Sequence, residues 1–231
     1  MTTRRTLLRA AGLAGLAGLA GCTAIGGTST PDDDPAVSGP ADGGNGTGDG
    51  IEPSELDVPR DATRRASIVA SDDADALPVT PRVSLADPFA TGGSPPVLRV
   101  DVDNPGDDPV TVGEYRAVVF QYVGSDDGTY VLLPHSERST SGDPDRVTPD
   151  FAAGDCWTLD SPVAVTMEYG TVEIPAGGTL TAYVGLYGNP ETDCLPAGEY
   201  RFEAAYNVAP LSSADDEQPP TWGFTLGIEE L

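Results

Sequence analysis

Apolar residues in this chain recur in short period-2 runs, and nearly every run is cut by glycine or proline. Val97-Leu98-Arg99-Val100-Asp101-Val102-Asp103 alternates apolar and charged residues, the pattern of a strand with one wet face. Asn104-Pro105-Gly106-Asp107-Asp108 follows as a turn, and Val110-Thr111-Val112 resumes the run. Residues 115–123 read as a longer apolar strand, closed by Gly124-Ser125-Asp126-Asp127-Gly128, with residues 129–133 as its hairpin partner. Further β pattern appears at 83–85, 163–167, 171–174, 179–187, 199–208 and 221–228. Pro175-Ala176-Gly177-Gly178 and Pro196-Ala197-Gly198-Glu199 mark two tight turns that feed strands. Seven to nine short strands so punctuated predict an all-β fold, a single immunoglobulin-like β-sandwich, with an up-and-down barrel as the alternative.

The first 22 residues have a different grammar. Thr3-Arg4-Arg5-Thr6-Leu7-Leu8 sets two arginines directly before an apolar run in which Arg9 is the only charge. That run is too short to span about 30 Å of hydrocarbon comfortably and ends in small residues, as the h-region of a signal does. Arg4 and Arg5 ahead of it point to twin-arginine export. Leu19-Ala20-Gly21-Cys22 matches a lipobox, which makes Cys22 the lipidated first residue of the mature chain. Stable anchoring takes two acyl chains, so a diacylglyceryl-type anchor in the cytoplasmic membrane, on its external face, is expected.

Every one of the 12 basic residues is arginine. Removing the three in the signal leaves nine, against 37 Asp and Glu, a formal charge of −28 with histidine neutral. In dilute buffer that charge repels itself and opposes compaction, whereas at molar salt the Debye length falls to about 3 Å. Acid-rich, lysine-free chains with a twin-arginine lipobox resemble exported lipoproteins of extremely halophilic archaea. The order Asn104-Pro105, Pro175-Ala176-Gly177 and Pro196-Ala197-Gly198-Glu199-Tyr200 resembles Ig-like modules in other haloarchaeal lipoproteins, over roughly residues 95–228. The resemblance implies the fold and a habitat but transfers no functional residue. The same acidity argues against nucleic-acid partners, because no basic patch exists to neutralise phosphates.

The expected organisation is a signal with lipobox at 1–22, a disordered linker at 23–50, a lead-in with the first strands at 51–94, and the sandwich at 95–231. The linker is mostly Gly, Thr, Ser, Pro, Asp and Asn with hardly a large apolar residue, too little apolar surface to offset ordering entropy. Asn45-Gly46-Thr47 within it is an N-glycosylation triplet. Residues 134–162 form a long excursion with few strand formers. With Cys22 assigned to lipid, Cys156 and Cys194 form an even pair in an oxidising compartment, expected as a structural disulfide. It would add about 4 kcal/mol in the chain-entropy model.

Chemistry is harder to place. Blue copper requires two histidines, and this chain has one, His135; zinc hydrolysis fails on the same count. No Gly-x-Ser-x-Gly elbow accompanies His135 and its neighbouring serines. No cofactor and no enzymatic activity are expected. Calcium is the more credible ion, through acids at 107–108, 126–127, 143/145 and 215–217, though none follows the EF-hand pattern. Phe151 and Trp157, beside the long loop, either plug one end of the sandwich or, if exposed, anchor a binding surface. The expected role is a non-enzymatic binding or assembly module with an envelope-protein partner. The alternative is a solute- or calcium-binding lipoprotein accessory to a transporter or envelope enzyme.

Overall fold

Strand β5 (Val97–Asp103) shows how the alternation is used: Leu98, Val100 and Val102 are fully buried, while Arg99, Asp101 and Asp103 lie on the outer face. The computed structural model describes residues 36–38, 57–135, 157–163, 169–190, 192–209 and 219–231. β3 (Thr80–Asp87) and β10 (Thr179–Gly188) flank β5, both antiparallel to it. On the outer face Arg82 meets Asp103 at 2.5 Å and Arg99 meets Asp101 at 2.9 Å. The hydroxyls of Thr179 and Thr181 donate to Asp103 and Asp101 at 2.7 and 2.6 Å. The polar half of the period-2 pattern is thus bonded across three strands while its apolar half builds the core. The C-terminal part of β10 pairs with β8 (Tyr130–Pro134), and β8 with β7 (Val123–Gly124). A strand of three residues, β1 (Ala36–Ser38), pairs with the start of β10.

The second sheet runs in the order β11 (Gly198–Ala205), β13 (Thr221–Glu230), β2 (Arg64–Ser71) and β4 (Phe89–Ala90). β13 is covered on both sides, in unbroken register with β11 and with one bulge at Thr225/Leu226 against β2. Its inward residues Trp222, Phe224, Leu226 and Ile228 face the first sheet across a core to which that sheet contributes Leu98, Val100, Leu180, Val184 and Leu186. A third sheet, β12 (Asn207–Ala209), β6 (Val110–Gly113) and β9 (Thr171–Ile174), extends one end.

The two main sheets are joined at both edges. On one side β3 leaves the first sheet at Asp87-Pro88 and continues as β4 in the second. The Pro88 carbonyl accepts from Ala66 N at 2.7 Å, and the Asp87 carboxylate from Phe89 N at 3.0 Å. On the other side Ser125 bridges to Phe202, and Asp126 N donates to the Arg201 carbonyl at 2.9 Å. The result is an all-β sandwich whose two main sheets are linked by backbone hydrogen bonds at both sides.

Three segments depart from the sequence reading. Residues 115–123 do not form one strand: Tyr115–Val118 is a helical turn, and only Val123 enters β7. Val118, Val119 and Phe120 are buried at consecutive positions, which a strand with one wet face cannot do. Left-handed backbone at Phe120 (φ 60°) and Tyr122 (φ 62°) turns the chain so that Phe120 enters the core. The segment 51–94 is more than a lead-in, since β2 sits inside the second sheet between β13 and β4. Within 23–50, Ala36–Ser38 is a strand rather than spacer. The run at 163–167 lies largely outside the described residues.

Gly223 marks a point where no side chain fits: a Cβ there would stand 2.2 Å from the Phe202 carbonyl oxygen and 2.8 Å from the Arg201 guanidinium. That guanidinium lies over Gly223 to reach the Asp72 carboxylate, which also accepts from Gly223 N at 2.9 Å. Gly223→Ala is expected to lower unfolding free energy by about 1–3 kcal/mol in denaturant titrations at molar salt. Thr221→Ala, at an exposed position of the same strand, should stay within about 0.5 kcal/mol of the parent. Equal midpoints for Gly223→Ala and the parent would contradict this packing.

Candidate functional site

Several residues singled out in the sequence prove to be structural. Trp157 is 6% exposed; its indole N–H donates to the Thr91 carbonyl at 2.8 Å, and its ring meets Tyr187 edge-on at 6.1 Å. Its backbone carbonyl accepts from Gly188 N at 2.8 Å. Trp157 therefore plugs the sandwich and offers no exposed anchor, because a buried indole keeps its place only when the N–H finds a partner inside. Phe151, Arg4, Arg5, Cys22, Asn45 and Cys156 lie outside the described residues.

Cys194 is disulfide-bonded. It opens a turn onto which three side chains converge. Arg64 donates to the carbonyls of Cys194 and Leu195 at 3.3 and 2.9 Å, and the hydroxyls of Tyr130 and Tyr200 donate to the Pro196 carbonyl at 2.7 and 3.0 Å. Tyr200, whose hydroxyl bonds back to the backbone just ahead of its own strand, forms the kind of tyrosine corner found in immunoglobulin-like sandwiches. Gly198 (φ 153°) gives the Tyr200 ring room, since a Cβ there would lie 3.0 Å from its hydroxyl. Burial raises the ionisation of both phenols above the ordinary range, so they remain donors.

The acidic turns at 104–108 and 125–129 are likewise self-contained, while the acids at 143/145 and 215–217 lie outside the described residues. The Asp127 carboxylate accepts from Ser125 Oγ at 2.7 Å, Thr129 Oγ1 at 2.7 Å and Thr129 N at 3.0 Å, which holds its pKa below the usual value. Asn104 closes the 104–108 turn by donating to the Asp108, Ile174 and Pro175 carbonyls. Among the described residues, no group of three or more His, Cys, Asp or Glu converges as a metal site.

The arrangement with outward-directed chemistry lies where β6 and β9 meet the helical turn. Gly113 and Gly170 sit on these neighbouring segments, and each is covered by a tyrosine from the other: Tyr169 lies over Gly113 and Tyr115 over Gly170. A Cβ on Gly113 would fall 2.1 Å from the Tyr169 hydroxyl, and one on Gly170 2.5 Å from Tyr115 Cε1. Cross-strand packing of an aromatic over glycine restores the contact that the missing side chain forfeits. Tyr169 is nevertheless 61% exposed, a large ring held in place with most of its surface in water. Beside it Glu114 and Arg116 form a half-buried ion pair, Nε to Oε1 at 2.7 Å, and Glu114 Oε2 accepts from Gly170 N at 3.4 Å. The bond from Arg116 lowers the Glu114 pKa against the opposing effect of burial, so this carboxylate stays charged and is a poor general acid. A fixed aromatic surface beside an ion pair suits recognition by stacking and hydrogen bonding.

Neither tyrosine was singled out in the sequence. The available signal was the adjacency of Gly113-Glu114-Tyr115 and Glu168-Tyr169-Gly170, which acquires meaning only once the register pairs the two segments. Comparison with protein-family models, with curated proteins and with solved structures finds no match to this chain.

Glu114, Asp72 and Asp127 all have depressed pKa values, each first through a side-chain hydrogen bond: from Arg116, Arg201 and Ser125 respectively. Their contribution to stability is complete above the ordinary carboxylate values of 4.5 and 3.8 and is lost as pH falls through the lower folded values. Asp72→Asn is therefore expected to show a shallower acid loss than the parent below about pH 4, followed by circular dichroism at fixed molar salt. Parallel acid profiles for the two proteins would count against the Asp72–Arg201 pairing.

Proposed function

We propose that this chain is an exported, lipid-anchored surface protein whose β-sandwich serves as a non-enzymatic binding or assembly module for an envelope protein. The address rests on the leader: Arg4-Arg5 before an apolar run, ending at Cys22 in a lipobox. The retained charge of −28 fits a salty exterior, where screening removes most of the self-repulsion. No helix among the described residues is long and apolar enough to cross a membrane, and it is the lipobox that assigns attachment to a lipid on Cys22.

The observation that carries the binding role is Tyr169, an exposed ring seated on Gly113 beside the Glu114–Arg116 pair. Tyrosine and arginine dominate binding energy at protein interfaces, and a ring already immobilised loses less entropy on association. The partner is an envelope protein presenting an apolar knob with hydrogen-bonding groups at its rim.

Cross-linking in intact cells at native salt, followed by capture and mass spectrometry, tests this directly. One dominant partner is expected for the parent and for Cys194-intact controls, with recovery reduced at least about tenfold by Tyr169→Ala. Cys22→Ser should release the protein from the membrane fraction with the fold intact. Undiminished partner recovery from Tyr169→Ala would remove this face from the proposal, and a membrane-bound Cys22→Ser protein would remove the lipid anchor.

A further inference from the structure

Among the described residues ahead of Asp57, Ala36–Ser38 docks on the sandwich, and the backbone geometry shows what that contact does. Residues of a strand point their N–H and C=O groups alternately to the two neighbours. Asn104 N donates to the Gly178 carbonyl at 2.9 Å, so the even-numbered residues of β10 bond towards β5. His135 N donates to the Tyr183 carbonyl at 2.9 Å, so the odd-numbered residues face the other way, towards β8. β8 runs out at Val184, however, and leaves Thr179 and Thr181 beyond its reach. β1 covers that gap, with Ala36 opposite Thr181 and Ser38 opposite Thr179. These two are the hydrogen-bonded pairs, and Val37, opposite Leu180, is the non-bonded one between them.

We propose that Ala36–Ser38 is a docking clip that seals the open edge of β10 and sets how far the sandwich stands from the membrane. The stand-off half of this proposal rests on the lipid anchor at Cys22 proposed above. With the clip closed, the span between anchor and sandwich runs from Cys22 to Ala36, 14 residues whose contour length is at most about 50 Å. With it open, the next strand residue is Arg64, 42 residues from Cys22, and the reach triples to about 150 Å. A contact of three residues is short enough to open and close reversibly, so the same chain has a near and a far position. Opening also bares the groups of Thr179 and Thr181, an edge that another strand could then take.

The test uses the full mature chain and a variant, Ala36→Pro with Ser38→Pro, that removes both clip N–H donors while leaving Val37. Amide hydrogen exchange at molar salt should show Thr179 and Thr181 exchanging on the order of tenfold faster in the variant, with Leu180 and Ala182, bonded to β5, unchanged. Equal rates at Thr179 and Thr181 in parent and variant overturn the clip. Lipidated protein is then floated with vesicles of phosphatidylcholine and phosphatidylglycerol, and energy transfer is read from a dye on Val69→Cys to a headgroup acceptor. Lower transfer from the proline variant supports the stand-off role, and equal transfer overturns it. Failure to float overturns the anchor reading instead, while the exchange result still decides the clip. Loss of Thr179 protection on dilution of the parent would assign the clip strand to a second copy and overturn docking within one chain.

Discussion

Phe120 has to reach the inner face of β13, and much of the chain's irregularity follows from that contact. Its ring meets Phe224 at 4.8 Å and Trp222 at 5.8 Å, both edge-on, while Phe202 on β11 stacks on Phe224 at 5.5 Å. Edge-to-face and offset pairs of this kind add about 0.5–1.5 kcal/mol each beyond the area they bury. The left-handed residues at 120 and 122, the helical turn before them and the brevity of β7 are the local cost of delivering that ring. The Tyr206 hydroxyl donates to the Val118 carbonyl at 2.9 Å, fixing the same turn from the opposite element where β11 gives way to β12. Trp222 is tied in its turn by its N–H to the Asp72 carbonyl at 2.9 Å.

Charge is organised around scarcity of cations rather than abundance of acids. Arg64, Arg65, Arg82, Arg99, Arg116 and Arg201 each face a carboxylate within 4 Å, all at sheet surfaces or rims. Exposed pairs contribute little individually, typically below about 1 kcal/mol. Their placement matters more: Arg82 and Arg99 lie among the acids of β3 and β5, and Arg201 spans Gly223 to Asp72, so carboxylates on adjacent strands are separated by a guanidinium. Arg64 also binds the turn at Cys194, linking β2 to the disulfide-bonded corner. The other described acids, Asp87 apart, are exposed to solvent, where molar salt screens them.

Most strands were legible because their burial follows their alternation: β5, β9, β10, β11 and β13 fall close to where the period-2 runs lie. Residues 115–123 misled because the apolar content was right but the burial was continuous, and sequence composition does not distinguish a doubly buried strand from a buried turn. β2 was obscured by Arg64 and Arg65 at its start, whose charges are met by Glu230 and Glu229 across the sheet. β1 lies in a tract whose composition argues for no structure at all, and only the open edge of β10 explains its pairing. The candidate site was the least legible part. Trp157 drew attention as a large aromatic by a loop, yet its N–H had an internal partner in Thr91; Tyr169 and Tyr115 were ordinary until strand register set each over the other's glycine.

The contact between Phe120 and β13 is open to one direct measurement, a double-mutant cycle with Phe120→Leu, Phe224→Leu and the double variant, read by denaturant unfolding at molar salt. Phe120 holding the turn against the sheet requires a favourable coupling of about 0.5–1.5 kcal/mol between the two rings. Additive losses, with no coupling between them, would contradict the account.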